Sequence, residues 1–458
     1  MNKRIAEIPH LSAAELRQRL ATGALRAVQV AEAFIAQIRA VNGGVHAFAW
    51  FDEDHVMDQA RRRDAERGTG KPVGPLFGLP VAIKDIIDTK GVPTEHGTAI
   101  DKGRVPSSDA VIIDRLKQAG AVIFGKTVTT ELAFLTPSKT LNPHNPEHTA
   151  GGSSSGSAAA VAARMTPLSI GSQTGGSVIR PASYCGVVGF KPSFGAIPRT
   201  GMLAQAPTLD TAGVFANSVE DAALLCDVLF GFDPLDPATS HNPPPRLFET
   251  ASSAPPLKPV FALYKPPGWD QAAPEMRAAI EEAVDILGDQ CFEIDLPSAF
   301  ADADEQRKII HFAEMAKFYY RFEKRAPELL GSLLQETINR GKATPARDYI
   351  AALDWRAMLN AGLDEVFERC DAIITPAALG PAPRDLSTTG DPIFNAVWTL
   401  CGTPVVTLPL FADDHGMPMG LQLIGRRDND ARLLRTARWL VSELAATATS
   451  EVEGYKHG

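Results

Sequence analysis

Between residues 79 and 230 the chain alternates short apolar runs with segments of helical pattern, and no other feature narrows the fold as much. The runs at 79–83, 121–124 and 168–170 are too short for helices. Residues 109–119, 157–164 and 219–229 instead space their apolar side chains at helical intervals. Such alternation predicts an α/β layered core.

The flanks fit around that core. Residues 1–42 read as two helices, with Ser12 capping the first and Val28, Ala31, Phe34, Ile35 and Ile38 at helical spacing in the second. Pro- and Ser-rich sequence at 233–259 reads as a surface connection. Residues 301–369 are helical in composition, and His311, Met315, Phe318 and Phe322 form an apolar stripe expected to face the core. Strands are expected again at 372–375, 405–410 and 419–424, before a closing helix at 430–444. The expected organisation is one domain over residues 1–458, with a helical flank at 1–70, a core at 71–230 and a helical insertion at 301–369 that shapes the substrate pocket.

Composition excludes several classes of function. The 458 residues carry a net charge of −9 with no basic block, which argues against a nucleic-acid partner. No segment reaches the roughly 18 apolar residues of a membrane span. Residues 1–7 are basic but meet no apolar stretch, so no secretory signal is read and a cytoplasmic location is expected. Five scattered cysteines lack CxxC spacing, the histidines show no HExxH pattern, and neither a metal nor a cofactor is expected.

Two motifs mislead. Residues 120–127 spell GxxxxGK[ST], yet a phosphate-binding loop needs a strand before its first glycine, and here 121–124 are themselves the strand. Val81-Ala82-Ile83-Lys84 matches the kinase β3 lysine, but no glycine-rich loop precedes it and neither HRD nor DFG follows. What remains is a lysine at the end of a buried strand, a placement that requires a partner or a task.

Two serine–glycine runs offer the task. Gly151-Gly152-Ser153-Ser154-Ser155-Gly156-Ser157 lies upstream of Gln173-Thr174-Gly175-Gly176-Ser177. A serine hydroxyl needs a base to become a nucleophile, and its target carbonyl needs donors where negative charge develops. The N–H groups of Thr174, Gly175, Gly176 and Ser177 can converge on one small volume and form an oxyanion hole. No His–Asp pair lies near these runs, so the base is expected to be Lys84, made neutral by burial. Strand alternation aims Asp85 away from it.

Lys84, Ser153 and Ser177, in that order, together with Gly74-Pro75-Leu76-Phe77-Gly78-Leu79-Pro80, Arg180-Pro181-Ala182 and Gly189-Phe190-Lys191-Pro192-Ser193, resemble the amidase signature family of serine hydrolases. The resemblance implies a large mixed twisted β-sheet covered on both sides by α-helices. It also implies a relay in which Lys84 deprotonates Ser153, Ser153 deprotonates Ser177, and a cis peptide bond precedes Ser153. Gln173 departs from the pattern, because many members carry aspartate there. Ser154 and Ser155 are expected to support the loop rather than react.

Family members cleave many amides with the same three residues, so the substrate is less legible. Thr129, Phe134, Phe318 and Trp398 are the candidate substrate-binding residues, and their mostly apolar character favours a small aryl or alkyl amide or an aryl carbamate. The resemblance leaves two alternatives: the amidase component of a tRNA-dependent amidotransferase, which releases ammonia from glutamine for a partner, and a non-catalytic scaffold. The residues do not set the oligomeric state; dimers are common among members, so the resemblance leaves a homodimer open.

Overall fold

The computed structural model describes residues 7–70 and 72–456. Residues 1–6, on which part of the secretory-signal reading rests, lie outside them. Eleven strands form one mixed sheet: β1 Phe48–Trp50, β2 Pro80–Lys84, β3 Val122–Thr127, β4 Leu168–Gln173, β5 Val188–Lys191, β6 Thr211–Ala216, β7 Phe261–Tyr264, β8 Cys291–Ile294, β9 Ala372–Pro376, β10 Val405–Ala412 and β11 Pro418–Ile424. Their order is β1-β3-β2-β4-β6-β5-β10-β11-β9-β7-β8. β2 runs parallel to both β3 and β4, and β6 lies antiparallel to β4, pairing Gln173 with Thr211.

The central strands are buried at every position from Pro80 to Lys84 and from Leu168 to Gln173. Apolar side chains on both faces of these strands need cover on both sides. The helix Val111–Gln118 buries Ile112, Ile113 and Leu116, and Val219–Leu229 buries most of its length. A capping box between Ser12 and Glu15 starts Ala13–Thr22, as the sequence predicts.

β3 extends through Gly125, Lys126 and Thr127, so the P-loop spelling lies in a strand rather than a loop. Gly125 has φ +140°, the β2–β3 register shifts beside it, and a Cβ there would sit 2.6 Å from the Trp50 carbonyl oxygen. A glycine-centred bulge therefore lets the edge strand β1 close against β3. The closing helix runs Asp430–Lys456, beyond its expected end, and the connection at 233–259 contains the short helix Leu247–Ala251, which buries Leu247 and Ala251. The expected helical stretch resolves into Ala303–Phe318, Tyr320–Arg325, Ser332–Lys342 and Ala346–Phe367. His311, Met315 and Phe322 of its stripe are buried, whereas Phe318 is half-buried. Among the described residues no helix is long and apolar enough to cross a membrane.

Candidate active site

Because β2 and β4 are parallel neighbours, their carboxyl ends emerge side by side, and Lys84 and Ser172 come to the same edge of the sheet. Lys84 Nζ donates to Ser153 Oγ at 2.8 Å and to Ser172 Oγ at 2.9 Å. The side chain is wholly buried. Burial pulls its pKa from the usual lysine range down to about 7, and the negative charge of Asp210 acts in the opposite sense. Asp85 has separate partners. Its Oδ2 accepts the Glu95 N–H at 3.1 Å, and burial raises its carboxyl to about 6 against the pull of Lys126.

The peptide between Gly152 and Ser153 is cis. Arg180 Nη2 donates to the Gly152 carbonyl at 2.8 Å, and the Thr130 N–H donates to that of Ser153 at 3.3 Å. A Cβ at 152 would lie 2.8 Å from Thr389 Cγ2, so close packing requires glycine there. Ser154 Oγ bonds both the carbonyl and the N–H of Ser172, and Ser155 Oγ donates to Gly151 O at 2.8 Å. The Ser154 hydroxyl holds the loop to β4, and that of Ser155 closes the loop on itself.

Residues 174–177 are braced from outside. Gln173 Oε1 accepts the N–H groups of Val178 at 2.8 Å and Ile179 at 3.0 Å, and its Nε2 donates to Thr399 Oγ1 at 3.1 Å. Thr399 Oγ1 donates to Gly175 O at 2.7 Å, and Thr174 Oγ1 donates to Asp210 Oδ1 at 2.6 Å. Among the described residues, no hydrogen bond occupies the N–H groups of Thr174, Gly175, Gly176 and Ser177. Gly176 is required by close approach rather than by a left-handed backbone, since a Cβ there would meet Asn395 Oδ1 at 2.5 Å. Ser177 is half-buried, and its hydroxyl has no hydrogen-bond partner among the described residues.

The four candidate substrate-binding residues do not share one cavity. Thr129 lines a cavity of about 510 Å³ with Asp85 and Glu131. Phe134 is buried with its ring 5.8 Å from that of His311, while Phe318 lies under Lys317, whose Nζ is 4.7 Å from the ring centre. Trp398 is 1% exposed and packs on Tyr264 and Phe300 in a second hydrophobic cluster. A different cavity, of about 210 Å³, is lined by Ser172, Thr174, Gln205 and Asp210 together with Ala133, Met202 and Leu203. Asp210 and Thr399, which brace the loop, belong to no motif apparent in the sequence, whereas Ser172 lies in the glycine-rich run 171–177, where nothing marks it as a partner of Lys84. The run Asp210-Thr211 before a weakly apolar strand is the only trace of the first two.

Curated relatives include a glutamyl-tRNA(Gln) amidotransferase subunit of Synechococcus sp. (strain WH7803), 34% identical over 93% of this chain and 96% of its own length. The corresponding protein of Streptomyces coelicolor is 32% identical over 99% and 98%. Among solved structures, a chain described with a vestigial protein complex and the evolutionary origins of an s-triazine catabolic enzyme superposes with a TM-score of 0.88, at 30% identity over 95% of this chain and 98% of its own. The native peptide amidase of Stenotrophomonas maltophilia superposes at 0.82, with 27% identity over 94% and 96%. The family model described as Amidase matches residues 29–434, and the chain belongs to that amidase signature family.

Proposed function

We propose that the protein hydrolyses the C–N bond of a carboxamide through Ser177, with Lys84 as base and Ser153 as relay. The observation that carries this reading is the buried Lys84 Nζ, with its pKa drawn down to about 7 and bonded to Ser153 Oγ, together with four N–H groups that have no hydrogen-bond partner among the described residues. Neutral Lys84 takes the Ser153 proton as Ser153 takes that of Ser177, and Ser177 Oγ attacks the carbonyl carbon. The N–H groups of residues 174–177 receive the oxyanion. When the tetrahedral intermediate collapses, the C–N bond breaks and the leaving nitrogen takes a proton from Ser153, which Lys84 replenishes. Water then attacks the acyl-enzyme, releasing a carboxylate and restoring Ser177.

Among carboxamides, that of glutamine is the first substrate we infer, with ammonia handed to a partner protein. The relatives that share 32–34% of the sequence across nearly its whole length, each the same component of the glutamyl-tRNA(Gln) amidotransferase, support this choice. A second reading, a small uncharged amide, draws on the 210 Å³ cavity beside Thr174, where Ile86, Ala133, Met202 and Leu203 supply an apolar wall. The relatives named above give no support to an aryl carbamate. The helical segment from Ala303 to Phe367 would shape either pocket, since Tyr319 Oη donates to the Leu132 carbonyl in the loop after β3.

Ammonia or amine release from glutamine, a primary alkyl amide, an anilide and an aryl carbamate, measured for the wild type and Ser177→Ala, tests both levels. Release that requires Ser177 and is fastest with glutamine supports the first reading. A faster alkyl amide or anilide moves the assignment to the second. Equal release by Ser177→Ala contradicts the mechanism.

A further inference from the structure

Asp210, the residue before β6, is a buried carboxylate with no ion-pair partner among the described residues. Its Oδ1 accepts the Thr174 hydroxyl at 2.6 Å, and its Oδ2 accepts the N–H groups of Gln205 and Ala206, each at 2.9 Å. Arg199, the nearest guanidinium, donates to the backbone carbonyl of Asp210 but commits its fork to Asp236. Arg199, Tyr319 and Lys84 are the charged and titratable groups that interact with Asp210 most, and burial raises the Asp210 carboxyl while the Thr174 hydroxyl, the Gln205 and Ala206 N–H groups and Arg199 act to lower it. Register explains the proximity: Thr211 pairs with Gln173, so the residues flanking that pair, Thr174 and Asp210, leave the sheet together.

We infer that Asp210 is a positioning residue of the active site: it anchors Thr174, the first of the four residues whose N–H groups carry no hydrogen bond among the described residues, and its carboxylate faces, with Thr174, the cavity that Ser172, the partner of Lys84, also lines. The inference rests on the mechanism proposed above and deepens it. Gln173 and Thr399 hold the loop from one side and Asp210 holds it from the other. The carboxylate does a second thing that Gln173, a neutral amide, does not. It moderates the loss of the ammonium form that burial imposes on Lys84. Removing the charge should shift the lysine further towards the neutral form, and cutting the Thr174 hydrogen bond alone should loosen the N–H cluster without that shift.

A fluorophosphonate tests this without any knowledge of the natural substrate. Ser177 Oγ attacks phosphorus, the P–F bond breaks, fluoride leaves, and the serine proton passes through Ser153 to Lys84. The second-order labelling rate is measured against pH for the full-length wild type, Asp210→Asn and Thr174→Val, with melting temperatures recorded alongside. The expected result is an acid limb displaced to lower pH by half a unit or more, on the order of a threefold change in the ionisation constant, in Asp210→Asn. Thr174→Val should keep the limb in place and lose roughly tenfold in plateau rate. A folded Asp210→Asn with an unmoved limb and a plateau within twofold overturns the inference. If Asp210→Asn does not fold, Thr174→Val decides it: a plateau within twofold of the wild type overturns it, and a tenfold loss at an unchanged melting temperature supports it. A wild type that is not labelled at all removes the Ser177 mechanism itself, a failure distinct from that of Asp210 alone.

Discussion

Lys84 at the end of β2 and Lys191 at the end of β5 are both wholly buried, and burial draws both pKa values down to about 7. Their neighbours differ. Lys84 Nζ donates to two hydroxyls, Ser153 and Ser172, whereas Lys191 Nζ donates to the backbone carbonyls of Pro192 and Thr403. A hydroxyl can give up a proton and take another, but a carbonyl oxygen can only accept a hydrogen bond. Lys126 stands between the two: its Nζ donates to the Ile87 carbonyl and to the hydroxyls of Thr94 and Thr89, with the charge of Asp85 beside it. A depressed pKa therefore does not pick out a base in this molecule. Contact with Ser153, a hydroxyl of the serine–glycine loop, sets Lys84 apart from both.

The sharpest way to break the comparison is to remove each lysine. Lys84→Met should lower turnover by about 10³-fold or more, as should Ser177→Ala, because members of one proton-transfer unit fail together. Lys191→Met, normalised to folded protein, should stay within a few-fold of the wild type, as read from steady-state amine release. The next effect is in pH. Only neutral Lys84 accepts a proton, so kcat/KM should fall about tenfold per unit as pH drops below about 7. Lys191→Met should leave this limb where it is. Thr399→Val unties Gly175 from its brace and should cost roughly tenfold in kcat with little change in KM, since the oxyanion donors act in the transition state.

The smallest effect is on stability, and its size separates the two lysines. In each case the folded pKa lies below the unfolded value of 10.5, so between about 7 and 10.5 the unfolded chain binds more protons and stability falls as pH falls. Deleting either lysine removes that penalty. Lys84→Met leaves hydroxyls that can bond one another, and its melting temperature at pH 7 should rise by a few degrees. Lys191→Met strands two buried carbonyls, each costing about 1–3 kcal/mol, and should melt lower than Lys84→Met. Calorimetry at pH 7 and pH 10 checks both signs.

The parts of this site that are legible in the sequence are those written as local patterns. Lys84 closes an uninterrupted apolar run, and the serine–glycine runs have few structural uses other than tight loops, so their residues can be nominated without coordinates. Asp210 and Thr399 reach the site through sheet register and through a helix more than 200 residues away, and short-range periodicity carries no trace of either; Ser172 stands in the glycine-rich run, but only the structure shows its hydroxyl meeting Lys84. β6 escapes a reading of the sequence because its small residues and Gly213 lack a strand-like apolar pattern. A Cβ at Gly213 would lie 2.8 Å from the Phe190 carbonyl oxygen, so packing against β5 favours glycine over strand propensity. The pocket residues are the least legible. Trp398 reads the same in sequence whether it lines a cavity or fills a core, and only its contacts with Tyr264 and Phe300 place it in the second cluster.

The central claim is that the contact with Ser153, and not the depressed pKa, makes Lys84 the base. It is tested most directly by single-turnover amide cleavage, with the acyl group on Ser177 followed by intact mass, in the wild type, Lys84→Met and Lys191→Met at pH 8. The account predicts rapid acylation in the wild type and Lys191→Met, and none on the same timescale in Lys84→Met. Comparable loss in both folded lysine variants, or acylation that survives in Lys84→Met, would contradict it.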